Sequence, residues 1–197
     1  VNPITQIIYI PRTKSYINEY FTIVALEDGL TAKLSANDCE YCIDDGSWNS
    51  LSADSNTVSI NKGQTLSFKG NLIPNAIYGI GTFTVNKAFN VEGNIMSLLF
   101  SDEFEGKTDL TGYAYVFYNL FKNCTTLIDA SNLILPATTL GTISAPTSPT
   151  TAATTSPITP TTSSSTSTLA DRCYKFMFSG CTSLVTAPVI LPATTLT

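Results

Sequence analysis

The chain contains no histidine. That removes the side chain most used as a general base, as a proton shuttle and as a metal ligand. Charge is also scarce: 13% of the 197 residues are Asp, Glu, Lys or Arg, about half the usual share. The surface is expected to be covered by Ser and Thr hydroxyls instead. Net charge is −5, from 15 acids and 10 bases, with no basic run anywhere, so the footprint that holds a phosphate backbone is missing and no nucleic-acid partner is expected. No apolar stretch approaches bilayer length, which excludes a membrane-spanning helix in this fragment. The start at Val1 reads as a mature or trimmed chain.

What is present begins with five cysteines, Cys39, Cys42, Cys124, Cys173 and Cys181, an odd number that cannot pair completely within the chain. Cys39 and Cys42 form a CxxC inside a strand-like stretch. Positions i and i+3 of a strand point to opposite faces, which suits neither a redox turn nor a disulfide, so both read as buried strand cysteines. Zinc would need a second ligand pair, and no metal site is expected.

Residues 1 to about 100 read as short strands separated by turns. Ile7–Ile10, Phe21–Leu26, Thr31–Leu34, Thr57–Ile60, Thr65–Lys69 and 78–85 carry β-branched and aromatic alternation. Glu27-Asp28-Gly29, Asp44-Asp45-Gly46 and Asn61-Lys62-Gly63 punctuate them. Turns about every ten residues, without a helical period between them, predict an antiparallel, immunoglobulin-like β-sandwich. Asp44 and Asp45 read as turn-capping side chains; calcium would need further oxygen ligands nearby.

The second half repeats itself. Phe121-Lys-Asn-Cys124-Thr-Thr-Leu127 matches Phe178-Ser-Gly-Cys181-Thr-Ser-Leu184, and each is followed by Ile-Leu-Pro-Ala-Thr-Thr-Leu, at 134–140 and 190–196. The 57 residues from Cys124 to Cys181 exceed one leucine-rich unit of roughly 20 to 29. Between the copies, 142–168 hold Ser, Thr or Pro at 22 of 27 positions, too little apolar surface to offset the entropy of ordering. Cutting out 141–169 brings the Cys spacing to 28, within the leucine-rich range. Compositionally the insert is an extended stalk, either O-glycosylated or an unmodified loop.

In a solenoid, equivalent side chains stack as ladders. The pairs expected are Phe121 with Phe178, Cys124 with Cys181, Leu127 with Leu184, Leu135 with Leu191 and Leu140 with Leu196, while Pro136 and Pro192 fix the bend leaving each strand. The resulting organisation is an N-terminal strand or linker (1–18), the sandwich (19–100), the first leucine-rich repeat with its junction (101–140), the insert (141–169) and the second repeat (170–197).

The run Cys-Tyr-Lys-Phe-Met-Phe-Ser-Gly-Cys-Thr-Ser-Leu-Val-Thr-Ala-Pro at 173–188, with Leu-Pro-Ala-Thr-Thr-Leu, resembles the BspA-type leucine-rich repeat proteins, the treponemal subclass on anaerobic bacterial surfaces. Phe-Thr-Ile-Val-Ala-Leu-Glu-Asp-Gly, Tyr-Cys-Ile-Asp-Asp-Gly-Ser-Trp and Phe-Asn-Val-Glu-Gly-Asn-Ile-Met-Ser-Leu-Leu-Phe (89–100) resemble the β-sandwich module that precedes such repeats in Bacteroides-type surface proteins. The resemblance spans 19–140 and 169–197. It implies a non-enzymatic protein, secreted or on the outer cell surface, that adheres to host matrix, other cells or glycans, with no catalytic residues and no cofactor. Two features depart from the family pattern. Only two repeats are present, where a free-standing solenoid usually has three or more, and the Ser/Thr/Pro insert has no counterpart.

Candidate contacts are aromatic. Gly112–Phe121 carries five rings, of which Phe117 and Phe121 recur at helical i, i+4 spacing, as do Tyr174 and Phe178, and read as packing residues. Tyr113, Tyr115 and Tyr118 are the candidates for contact with a protein or glycan ligand. Asp102, Glu103 and Glu105 read as a solvated loop, since glycoside cleavage needs carboxylates on two facing walls. Asn123-Cys124-Thr125 matches an N-glycosylation acceptor but falls inside the predicted repeat core. Two rivals to adhesion are kept. One is a structural subunit of an extracellular filament or phage virion, self-assembling through strand edges, the strand-like 1–10 or the open solenoid end. The other is a glycan-binding module of a nutrient-uptake system.

Overall fold

A computed structural model describes residues 14–34, 39–51, 57–70, 82–110, 113, 115–138 and 173–189. The strand-like 1–10, the insert, and Leu140, Leu191, Leu196 and Pro192 lie outside the described residues.

The protein is mainly β. Its strands are β1 (Phe21–Ala25), β2 (Leu30–Leu34), β3 (Cys39–Ile43), β4 (Asn49–Leu51), β5 (Thr57–Ile60), β6 (Thr65–Gly70), β7 (Phe83–Val85), β8 (Phe89–Asn94) and β9 (Leu127–Ile134). A single helical turn α1 (Ser97–Phe100) and a 3-10 turn (Ser101–Glu103) follow β8. One sheet has six strands in the order β4-β3-β6-β1-β8-β9, the other three in the order β5-β2-β7.

Period-two patterning explains the smaller sheet: Leu30, Ala32 and Leu34 of β2 and Val58 and Ile60 of β5 turn inward, with Lys33, Thr57 and Ser59 outward. Phe21 of β1 and Phe68 of β6 meet Phe83 of β7 at ring separations of 5.3 and 5.2 Å, so the two sheets share one core. Cys39 belongs to that core; Cys42, three residues on, is buried outside it.

All pairings in the six-stranded sheet are antiparallel except the last, where β9 adds in parallel to β8. The strand pattern therefore runs beyond residue 100 into the second half of the chain. Gly93 of β8 sits at a φ of 84°, and a Cβ there would collide with the Tyr20 carbonyl oxygen. Only glycine lets the chain entering β1 cross so close.

The i, i+4 recurrence of Phe117 and Phe121 does not come from a helix. Residues 115–123 form a run of tight turns in which Tyr115, Asn119 and Asn123 each adopt φ near 60°. Leu120, Lys122 and Cys124 N–H donate to the carbonyls of Phe117, Asn119 and Phe121. A left-handed residue every fourth position returns side chains to the same side, which mimics helical spacing in the sequence.

Candidate functional site

The turn run is traced twice. Lys122 N–H donates to Asn119 O at 3.0 Å, and Ser179 N–H to Phe176 O at 3.1 Å. The bonds Cys124 to Phe121 and Leu127 to Cys124 recur as Cys181 to Phe178 and Leu184 to Cys181. Positive φ recurs at Phe176 and Gly180, the counterparts of Asn119 and Asn123. The two turns dock through four backbone bonds: the N–H groups of Phe117, Asn119, Phe121 and Asn123 donate to the carbonyls of Cys173, Lys175, Met177 and Ser179 at 2.8–3.2 Å. Beyond them, Val185 N–H donates to Ile128 O and Ala130 N–H to Thr186 O.

The rings of Phe121 and Phe178 stack at 5.6 Å and 14°, and those of Phe117 and Tyr174 at 5.5 Å and 7°. The stack extends into the smaller sheet, where Phe83 stacks on Phe121 at 5.7 Å and 13° and donates its N–H to Leu120 O at 2.7 Å. Phe83 thus stands toward Phe121 as Phe121 stands toward Phe178, and Phe89 pairs with Leu127 in register. Sequence reasoning missed this member. The signal was the six-residue step from Phe83 to Phe89, shared with Phe121 to Leu127 and Phe178 to Leu184 but lacking the intervening cysteine, replaced by Asn86.

The thiols have a defined place. Cys124 Sγ donates to Phe83 O at 3.1 Å and Cys181 Sγ to Phe121 O at 3.0 Å, each satisfying a carbonyl of the preceding turn. Burial pushes the Cys124 and Cys39 thiols up to about 12 and raises Cys181; a thiol so placed is a poor nucleophile and metal ligand at neutral pH. Among the described residues no three His, Cys, Asp or Glu side chains gather to hold a metal ion.

Phe121, Cys124, Leu127 and Leu135 are buried, whereas Phe178, Cys181 and Leu184 are half-buried. Tyr113 is half-buried with its ring edge-to-face on Phe100 at 5.6 Å. Tyr115 and Tyr118 meet edge-to-face at 5.8 Å, and Tyr118 meets Phe176 at 5.8 Å. Phe176, which the sequence did not single out, is 48% exposed with Lys175 Nζ 5.2 Å from its ring centre. Its φ of 57° is costly for a bulky side chain. Tyr115, Tyr118, Phe176 and Lys175 together make an aromatic ledge with one cation.

The acidic loop is tied down. Asp102 accepts both oxygens' worth of contact from Lys69 Nζ at 2.9 Å and a bond from Tyr20 OH at 2.7 Å. Lys69 also lies 3.5 Å from Glu40 and 4.6 Å from the Trp48 ring centre. The bonds from Lys69 and Tyr20 hold the Asp102 carboxyl below the usual range, while burial and Asp102 push the Tyr20 hydroxyl up to about 12. Phe100, Ser101, Asp102 and Glu103 line a shallow hollow of about 500 Å³, all from one segment. A carboxyl kept ionised is a poor proton donor for sugar cleavage. Asp44 likewise spends its oxygens on Thr65 N–H at 2.8 Å and Gln64 Nε2 at 2.7 Å, so it ties β3 to the start of β6 instead of capping its own turn, which Gly46 N–H closes on Ile43 O at 2.9 Å.

No family model, curated protein or solved structure matches the chain.

Proposed function

We propose that this is a non-enzymatic recognition protein of the outer bacterial surface, a BspA-like leucine-rich repeat chain in which an immunoglobulin-like sandwich carries a short solenoid that binds host matrix, other cells or glycans. The observation that carries the reading is Phe176. One turn earlier its place is taken by Asn119, a residue that tolerates the left-handed backbone. A phenylalanine held there, half out of the core, beside Tyr118 and Lys175, accepts strain in order to display a ring. Exposed aromatics stack on sugar faces and anchor protein partners at small entropic cost.

The recurring hydrogen bonds of 117–127 and 174–184 support the solenoid part of this reading, and the raised thiols and the paired Asp102 support its non-enzymatic part. The test is binding of the intact chain to an array of glycans and matrix proteins, alongside F176N, which carries the residue of the preceding turn. Retained binding to one ligand class by the wild type and at least a tenfold loss in F176N are expected; equal binding by both would remove Phe176 from the reading. Immunogold labelling of producing cells with antibody to 20–100 tests the location: label spread over the envelope fits a surface protein, and label along filaments or phage particles fits an assembly subunit.

A further inference from the structure

The aromatic ledge carries a positive charge that nothing in the described residues compensates. Lys14, Lys69 and Lys87 lie 3.7, 2.9 and 3.9 Å from carboxylates. Lys175 makes no ion pair among the described residues, and its ammonium stands over the Phe176 ring instead. Lys122, one four-residue step of the turn run beyond Tyr118, is exposed and also makes no ion pair there. This charge is set apart from the rest of the chain. The described parts of 14–110 hold 11 acids against 6 lysines, whereas 115–138 and 173–189 together hold two lysines and one acid, Asp129. The Asp129 carboxylate is already engaged by Ser131 N–H at 2.8 Å.

We infer that the ledge takes an anionic polysaccharide, with pyranose faces on Tyr118 and Phe176 and the sugar's carboxylate or sulfate on Lys175. The inference rests on reading Phe176 as the contact residue, and it adds the class of ligand. The rings of Tyr115, Tyr118 and Phe176 follow one another at 5.8 Å, and a row of rings suits a polymer of repeating flat units. The polar groups beside the rings donate. Lysine has three N–H donors and no acceptor, and no described residue bonds the Tyr118 hydroxyl. A neutral sugar brings hydroxyls that need acceptors, and the ledge has no carboxylate to offer. An anionic sugar brings acceptors and gains a charge-assisted bond. An acidic peptide fits less well. Extended peptides add to open backbone groups, and every N–H from Phe117 to Cys124 already has a carbonyl, within its own turn or in 173–179.

The test measures binding of the intact chain, K175Q and F176N to four probes: polygalacturonate, its methyl ester, dextran sulfate and poly-glutamate. The ester keeps the rings and linkages without the charge. Expected is binding to polygalacturonate or dextran sulfate that falls at least tenfold in K175Q and fades as salt is raised; the two probes tell carboxylate from sulfate. Equal binding to polygalacturonate and its ester, or an anionic glycan bound alike by wild type and K175Q, overturns the inference. So does poly-glutamate bound as tightly as either glycan, since charge alone then suffices. Absence of binding to both anionic glycans overturns it as well, and neutral glycans or matrix proteins bound by the wild type but lost in F176N then leave the recognition reading standing. If F176N binds every ligand as the wild type does, both readings of the ledge fail.

Discussion

Phe176 and Phe121 are the same residue type under opposite demands. Phe121 is fully buried between Phe83 and Phe178, and F121A is expected to cost about 3–5 kcal/mol through lost contact and the cavity left behind. F176N removes an exposed ring and relieves a left-handed backbone, so it is expected to raise stability by about 1 kcal/mol. Denaturant midpoints of the two variants check both signs. Asp102 supplies a titration. Its pKa is depressed in the folded state, so the stability it contributes is present above the unfolded carboxyl value and is lost as pH falls through the folded one. K69M should bring the Asp102 carboxyl back up toward the ordinary range, followed by NMR titration of the side chain. Because Asp102 is 61% exposed, solvent screens the pair, and the stability change should stay near about 1 kcal/mol. The sequence marked this residue as acidic and solvated. Its partners Lys69 and Tyr20 stand 33 and 82 positions away, and composition carries no trace of such a pairing.

At the scale of elements, the strands were legible because alternation and Gly-containing turns are local signals: β2, β5 and β6 fall where the side-chain pattern puts them. The turn run was not. Its four-residue recurrence looks helical in sequence, and only the positive φ angles at Tyr115, Asn119 and Asn123 distinguish the two. Gly180 shows how tightly the turns approach. It has φ of 80°, and an added Cβ would collide with Asn123 Oδ1, whereas nothing lies within 4 Å of a Cβ at Gly29, φ 69°. G29A should therefore cost only the backbone term, about 1 kcal/mol, and G180A that same term plus the turning aside of the Asn123 amide, as read by chemical denaturation. Thiol labelling examines the same packing: Cys181 should react with an aromatic disulfide reagent before Cys124 and Cys39, whose burial holds them near 12, and full reaction of all five should await unfolding.

For the whole molecule, the repeated heptad was readable from its two copies, but the continuity of its stack with the sheets was not, because Asn86 interrupts the motif where Phe83 begins it. The parallel pairing of β8 with β9 and the stack from Phe83 to Phe178 fasten the second half of the chain to the first. Heat or denaturant should consequently give one transition by circular dichroism and by Trp48 fluorescence; two separated transitions would show that the halves fold apart. The same fastening has a topological consequence. The contacts between 115–138 and 173–189 are made by backbone bonds and stacked rings, and none of them uses the Ser/Thr/Pro segment that joins the two stretches. A protease cut within 141–169 should leave two polypeptides that migrate as one particle in native gel filtration and as two bands once denatured. That outcome would make 115–138 and 173–189 a pair that recognise each other without a covalent link, as the halves of a split protein do.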